Sequence, residues 1–204
     1  MPTDLQHQLA EIADGLAEKG YSIVDHFLSS PEVEGIAQTD EFKNGKLHFK
    51  KAGIGKQQNK QIIETIRGDY IQWIDPLAAP ASLAIYFDRL RTLMLYLNRS
   101  LCLSLKDFEV HMTIYPVGSF YKRHLDQFKS DEHRKLSIVC YLNPDWRIEE
   151  GGQLRMYLPD GHTDVFPLSG RLVCFRSDQV EHEVLTATRE RLSLTGWLLD
   201  QGQL

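Results

Sequence analysis

Two residues of metal-ligating type, His124 and Asp126, stand two positions apart; a lone His182 follows far downstream, and Arg191 comes nine residues after it. On an extended strand side chains alternate with period two, so the first pair would project to one face and could touch a single ion. A distant imidazole completes a set of two histidines and one carboxylate. This is the facial ligand group of non-haem Fe(II) chemistry, and it leaves the opposite coordination face free. Taken singly each element has a plainer reading. His-x-Asp alone describes a surface turn, and His182 between Glu181 and Glu183 describes an exposed strand residue. Arg191 beside Glu190 describes a surface ion pair worth less than about 1 kcal/mol. Their order, strand context and short histidine-to-arginine interval carry the argument jointly.

Fe(II) on these three ligands keeps three positions for others. A 2-oxo acid could chelate through its keto oxygen and adjacent carboxylate, and dioxygen would take the last position. The far carboxylate of 2-oxoglutarate then needs a fixed cation. The planar fork of arginine suits it, because it can hold both oxygens, and Arg191 is placed for that task. Such charge-assisted bonds contribute about 1.5–3 kcal/mol each, enough to select a dicarboxylate. The hydroxyls of Tyr115, Tyr121 or Tyr141 could donate to the same group.

These side chains need a scaffold. Leu5, Leu9, Ile12 and Leu16 recur at helical spacing, so residues 4–19 read as an amphipathic helix stopped by Gly20. Residues 21–27 read as a strand, and Ser30-Pro31 opens a short helix with a capping residue and first-turn proline. Residues 43–60 carry Lys43, Lys46, Lys50, Lys51, Lys56 and Lys60 with three glycines and little periodicity, which predicts a mobile basic loop able to act as a flap. A strand at 70–74 precedes a second helix marked by Leu83, Phe87, Leu90, Met94 and Leu97. Short strands follow at 108–115, 136–142, 153–158, 163–166, 172–175, 180–185 and 191–199, separated by Gly, Pro, Asn and Asp. Helices before a run of short strands predict an α+β fold, a double-stranded β-helix or cupin-like jelly roll with the N-terminal helices packed on its major sheet. In the last strand Arg191, Ser193, Thr195 and Trp197 share one face and Leu192, Leu194 and Leu198 the other. The pattern alone allows the polar face to meet water over a leucine core, or to line a barrel lumen with the leucines against the helices; the nearby His182 favours the lumen.

Composition narrows the class. With 42% hydrophobic and 25% charged residues, the chain reads as one globular domain over 1–204, with helical support in 1–105 and the catalytic core in 106–200. A net charge of -5 disfavours nucleic acid as a partner. The N-terminus lacks a basic and apolar leader and no long apolar run occurs, so neither secretion nor membrane insertion is expected, and the location reads as cytoplasmic. Cys102, Cys140 and Cys174 form no metal or redox pair, and the latter two sit in apolar strands as inert thiols. His111 is expected to pack in the core, and Arg67-Gly68-Asp69 to form a tight turn.

The segments Ile66-Arg67-Gly68-Asp69-Tyr70-Ile71-Gln72-Trp73-Ile74, Tyr115-Pro116-Val117-Gly118, Tyr121-Lys122-Arg123-His124-Leu125-Asp126 and Tyr141-Leu142-Asn143-Pro144-Asp145-Trp146 continue the pattern. So do Gly151-Gly152-Gln153-Leu154-Arg155, Val180-Glu181-His182-Glu183-Val184 and Arg191-Leu192-Ser193-Leu194-Thr195-Gly196-Trp197. Together they make residues 66–199 resemble the 2-oxoglutarate and Fe(II)-dependent oxygenases, and among them the prolyl 4-hydroxylases similar to the hypoxia-inducible-factor hydroxylases and their bacterial relatives. The resemblance implies His124, Asp126 and His182 as iron ligands, and Arg191 with Tyr141 as the hold on the far carboxylate of 2-oxoglutarate. Tyr115, Leu154, Thr195 and Trp197 would line the cofactor pocket, with Tyr121, Arg134 and Trp197 toward the substrate. O2 is the further cosubstrate it implies, ascorbate an accessory cofactor, and 4-hydroxylation of proline in a protein or peptide the reaction. A translation elongation factor is one candidate substrate. The chain departs from its animal relatives in carrying Cys140 where they have tyrosine, and it ends five residues after Leu199, so C-terminal elements that aid substrate choice are not expected. The other readings compatible with the site are an oxygenase of free amino acids or other small molecules, and a non-catalytic scaffold that binds 2-oxoglutarate.

Overall fold

A computed structural model describes residues 2–43, 49–53, 65–127 and 132–201. Among the described residues four α-helices, α1 (Pro2–Lys19), α2 (Ser30–Ala37), α3 (Asp40–Lys43) and α4 (Ala81–Leu101), accompany eleven strands. The strands are β1 (Tyr21–Val24), β2 (Lys50–Lys51), β3 (Tyr70–Trp73), β4 (Asp107–Tyr115), β5 (Tyr121–His124), β6 (Arg134–Tyr141), β7 (Leu154–Leu158), β8 (Gly161–Val165), β9 (Leu172–Arg176), β10 (Glu181–Val184) and β11 (Arg191–Leu199). They form two antiparallel sheets, a major one ordered β1-β9-β6-β11-β4-β3-β2 and a minor one ordered β5-β10-β7-β8. This is the expected jelly roll.

Alternation explains why the central strands look almost wholly apolar in sequence: both faces of the major sheet are covered. One face presents Val110, Met112, Ile114, Leu136, Ile138, Cys140, Leu172, Cys174, Leu194 and Leu198 to Leu9, Ile12, Leu83, Phe87, Leu90 and Leu97 of the helices. The residues between them turn inward, where Val139, Tyr141, Val173 and Phe175 meet Leu154, Met156 and Val184 of the minor sheet. The lumen reading of β11 holds: Leu194 and Leu198 join the helix-side core, while Arg191, Thr195 and Trp197 line the interior cavity. A one-residue slip would reverse every one of these assignments, so the long register of β11 against β4, from Arg191 opposite Tyr115 to Leu199 opposite Asp107, fixes the site as well as the sheet.

Some expectations shift. The first strand ends at Val24 rather than Phe27, because His26 takes a left-handed conformation (φ 57) and the chain turns to bury Phe27 and Leu28. The second helix is capped by Ser29, not Ser30, with the Ser29 amide donating to the Glu32 carboxylate at 2.7 Å. Within the basic stretch predicted as a loop, Lys50–Lys51 pair with Tyr70 and Ile71 as β2; the rest of that stretch falls mainly outside the described residues. Among the described residues no helix is long and apolar enough to cross a membrane.

Candidate active site

His124 and His182 face each other as register partners on β5 and β10. Their ring centroids lie 4.3 Å apart. Asp126 reaches them from the bend that follows β5, so the histidine and aspartate do not share one strand as expected; the chain turns between them and delivers the carboxylate sideways. Asp126 Oδ1 lies 3.4 Å from His124 Nε2, and Oδ2 lies 3.7 Å from His182 Nε2. One ligand atom from each of the three falls within 4.8 Å of the others.

Backbone carbonyls set the ring orientations. His124 Nδ1 lies 2.7 Å from the Lys122 carbonyl and His182 Nδ1 lies 3.1 Å from that of Val180, so each Nδ1–H donates to a carbonyl and each Nε2 lone pair is turned to the common centre. The Ser137 hydroxyl donates to Asp126 Oδ2 at 2.7 Å and meets the Ser177 hydroxyl at 2.8 Å. Burial works against ionisation of Asp126, yet the adjoining imidazoles and the Ser137 hydroxyl outweigh it and hold the carboxyl far below the usual range. Burial drives His182 the other way, down to about 4, so its imidazole is neutral. An ionised Asp126 carboxylate beside the neutral His182 imidazole is the protonation state a divalent metal requires of such ligands.

A cavity of about 640 Å³ opens from this cluster into the roll. On its wall lies Arg191, 2% exposed, with its guanidinium carbon 4.9 Å from the ring centroids of both Tyr115 and Tyr141. No ion pair among the described residues engages it, and Arg191 Nε and the Tyr141 hydroxyl are buried without hydrogen-bond partners. Buried charges are ordinarily paired, because desolvating one costs several kcal/mol. The donor set therefore fits a bound anion here, and the triad fits a metal a short way along the same cavity. The close approach of the Arg191 stem requires Gly152 (φ 71), where a Cβ would meet Trp146 and Ala187 at 3.0 Å and Arg191 Cδ at 3.5 Å.

The other residues singled out in the sequence fall around the same space. Tyr115, Tyr121, Arg134, Leu154, Thr195 and Trp197 line the cavity, whereas Tyr141 sits fully buried behind its wall. The Arg134 guanidinium carbon lies over the Trp197 ring, 3.5 Å from its centroid, and the side chain pairs with Glu109 at 2.6 Å. Sequence reasoning missed three features. Trp73 stands 49% exposed against His111 and Trp197, so His111 belongs to the cavity wall rather than to the closed core. Ser137 supports Asp126. Arg67 and Asp69 form a bidentate pair on the cavity wall rather than a simple turn. The period-two alternation of β4 and β6 holds the signal for His111 and Ser137, since both fall on the lumen face defined by Tyr115 and Tyr141. Burial pushes the Cys174 thiol up to about 12, and that of Cys140 is raised too, in keeping with inert packing.

A jelly roll with two imidazoles and a carboxylate converging in its mouth, and a buried cation waiting deeper in, defines a non-haem metal-dependent oxidoreductase. The 2OG-Fe(II) oxygenase superfamily matches residues 110–199, the span holding the triad and Arg191. A prolyl-4-hydroxylase of Pseudomonas putida is 45% identical, with TM-score 0.85 over 95% of this chain and 100% of that one. A prolyl hydroxylase of Trichoplax adhaerens, solved with a hypoxia-inducible-factor peptide fragment, is 25% identical, with TM-score 0.86 over 98% of this chain and 92% of that one. Egl nine homolog 1 of Homo sapiens is 27% identical over 215 residues, spanning 96% of this chain and 47% of its own length. The chain thus spans about half the length of that curated relative. It belongs to the 2OG-Fe(II) oxygenase superfamily, whose chemistry uses Fe(II), 2-oxoglutarate and O2.

Proposed function

We propose that this chain is a 2-oxoglutarate- and Fe(II)-dependent prolyl 4-hydroxylase acting on proline within a protein. The observation that carries the reading is the buried Arg191, which pairs with no carboxylate among the described residues, in the same cavity as the His124, Asp126 and His182 cluster, because a cosubstrate with a second carboxylate answers both ends. His124, Asp126 and His182 would hold the iron. Arg191 would grip the far carboxylate through its planar fork, with the Tyr141 hydroxyl as a second donor, and Tyr115, Leu154 and Thr195 would shape the space between. When bound, the iron supplies O2 activation coupled to oxidative decarboxylation of 2-oxoglutarate to succinate and CO2. The residues of the chain orient the two cosubstrates and, by enclosing them between two sheets, keep water from the reacting centre.

At the open end the half-exposed Trp73 offers aromatic surface suited to a proline ring, and Arg134, lying over the Trp197 ring, carries donors suited to peptide carbonyls. The similarity to a hydroxylase solved with a peptide supports a peptide rather than a free amino acid as substrate. A translation elongation factor is the candidate to try first, and ascorbate is expected to sustain turnover. The experiment is mass spectrometry of proline-containing proteins from cells with and without the active enzyme. A gain of one oxygen atom on a proline, lost in Asp126→Ala, supports the assignment. Succinate release driven by small molecules, with no protein gaining oxygen, refutes it.

A further inference from the structure

One side chain assigned above to the substrate end is already occupied on both faces. The Tyr121 ring lies 3.6 Å from the His124 ring, centroid to centroid, at an interplanar angle of 18°. The guanidinium carbon of Arg67 lies 4.1 Å from the same Tyr121 centroid. Two flat groups that close cannot share one face of a phenol ring, so Tyr121 is sandwiched between cation and imidazole. Its edge and hydroxyl can meet a ligand, but neither face is free to stack on one.

The rest of the column is anchored. Arg67 donates to both oxygens of Asp69 at 2.8 and 2.6 Å, and the Asp69 side chain is fully buried. Residues 66–68 are laced to the chain around Tyr121. Arg67 bridges Tyr121, the Lys122 amide donates to Ile66 at 2.9 Å, the Gly68 amide donates to Phe120 at 3.0 Å, and the Ser119 hydroxyl donates to Gly68 at 2.6 Å. This bracing sits at a lightly paired edge of the minor sheet. β5 is a four-residue strand at the edge of the minor sheet, and its pairing with β10 is irregular, with only His124 and Tyr121 in register. His182 needs no such brace, since it lies inside the sheet between β5 and β7 and packs edge-on against Phe175 at 4.7 Å.

We infer that Asp69, Arg67 and Tyr121 form a stacked column whose task is to hold the His124 imidazole in its metal-binding orientation, making Tyr121 and Arg67 positioning residues for the iron site. The Lys122 carbonyl fixes which nitrogen faces inward, and the column fixes the ring plane. An aromatic ring is required at 121, while the phenol hydroxyl is not. The inference rests on the triad as the metal site and is independent of what the substrate is.

The test uses Co(II) as probe with the full chain, without 2-oxoglutarate or substrate, reading both affinity and the visible d–d band pattern. Tyr121→Leu is expected to weaken Co(II) binding about 10-fold or more, the range that loss of an outer-shell partner costs, and to alter the d–d bands. Tyr121→Phe should restore both, and Arg67→Met should fall between Tyr121→Leu and the unaltered protein. Circular dichroism of each variant checks folding; if Tyr121→Leu does not fold, Arg67→Met carries the test. His124→Ala separates the two ways of failing. If it too leaves Co(II) affinity unchanged, the triad reading is wrong and the inference falls with it. If His124→Ala loses Co(II) while folded Tyr121→Leu or Arg67→Met keeps unaltered affinity and bands, the triad stands and the positioning role is overturned.

Discussion

Replacing Arg191 with methionine should have opposite effects on cosubstrate binding and on stability. The side chain is 2% exposed, has no anionic partner among the described residues and leaves Nε unsatisfied. In the ligand-bound protein a bidentate carboxylate would answer that charge with two charge-assisted bonds of about 1.5–3 kcal/mol each, and truncating one side of such a buried pair costs about 2–5 kcal/mol. A loss of about 4 kcal/mol corresponds to roughly a 10³-fold weaker 2-oxoglutarate affinity. In the free protein the balance reverses. Methionine forgoes the contacts with Tyr115 and Tyr141, worth about 0.5–2 kcal/mol, but removes a desolvation penalty of several kcal/mol. The ligand-free variant should therefore melt no lower than the original protein, and a gain of 1 kcal/mol would raise its Tm by about 2–4 °C. Anaerobic calorimetry with Mn(II) and 2-oxoglutarate, beside thermal melts with and without the acid, measures both sides. The melts should show stabilisation by 2-oxoglutarate in the original protein and none in Arg191→Met, while Mn(II) affinity stays unchanged. Binding of 2-oxoglutarate within about tenfold of the original, or an equal loss of Mn(II), would refute the assigned division of labour.

Three further outcomes are expected. Ser137→Ala removes the donor to Asp126 Oδ2 and should weaken Mn(II) or Co(II) binding by about 10-fold or more in a metal titration, with the fold intact. His111 has its pKa pushed down to about 4 by burial, so the unfolded chain takes up its proton first; its contribution to stability is complete above about 6.5 and is lost as pH falls toward 4. Urea melts across that window should show a loss of up to about 3 kcal/mol from this residue, which His111→Gln should remove. Gly152→Ala places a Cβ in the left-handed region against Trp146 and Ala187 and should cost about 1–3 kcal/mol, with weaker 2-oxoglutarate binding because Arg191 Cδ is the next neighbour.

Much of the site was legible because the period of two governs both the sheet and the chemistry. The alternation of β11 put Arg191, Ser193, Thr195 and Trp197 on one face without saying whether that face met water or a lumen; His182 nearby favoured the lumen, and the leucines opposite found the helices whose apolar stripes needed cover. What stayed hidden depends on contacts that no local pattern encodes. The bend carrying Asp126 sideways to His182 arises where β5 ends, and β5 is too short and too polar to announce itself as a strand. Asp69 and Arg67 read as turn residues because exposed and buried ion pairs look the same in sequence, and only the packing of residues 66–69 against 119–122 buries them. His111 reads as a core residue by alternation and is buried, but the space beside it is a cavity rather than packed side chains.

The central claim is that one metal ion is held jointly by His124, Asp126 and His182. Anomalous diffraction from crystals grown anaerobically with Mn(II) and 2-oxoglutarate tests it most directly. The account expects one strong peak at coordinate-bond distance from both Nε2 atoms and an Asp126 oxygen, with the far carboxylate of the acid on Arg191. A peak elsewhere, or one that engages a single histidine while the acid lies away from Arg191, would contradict it.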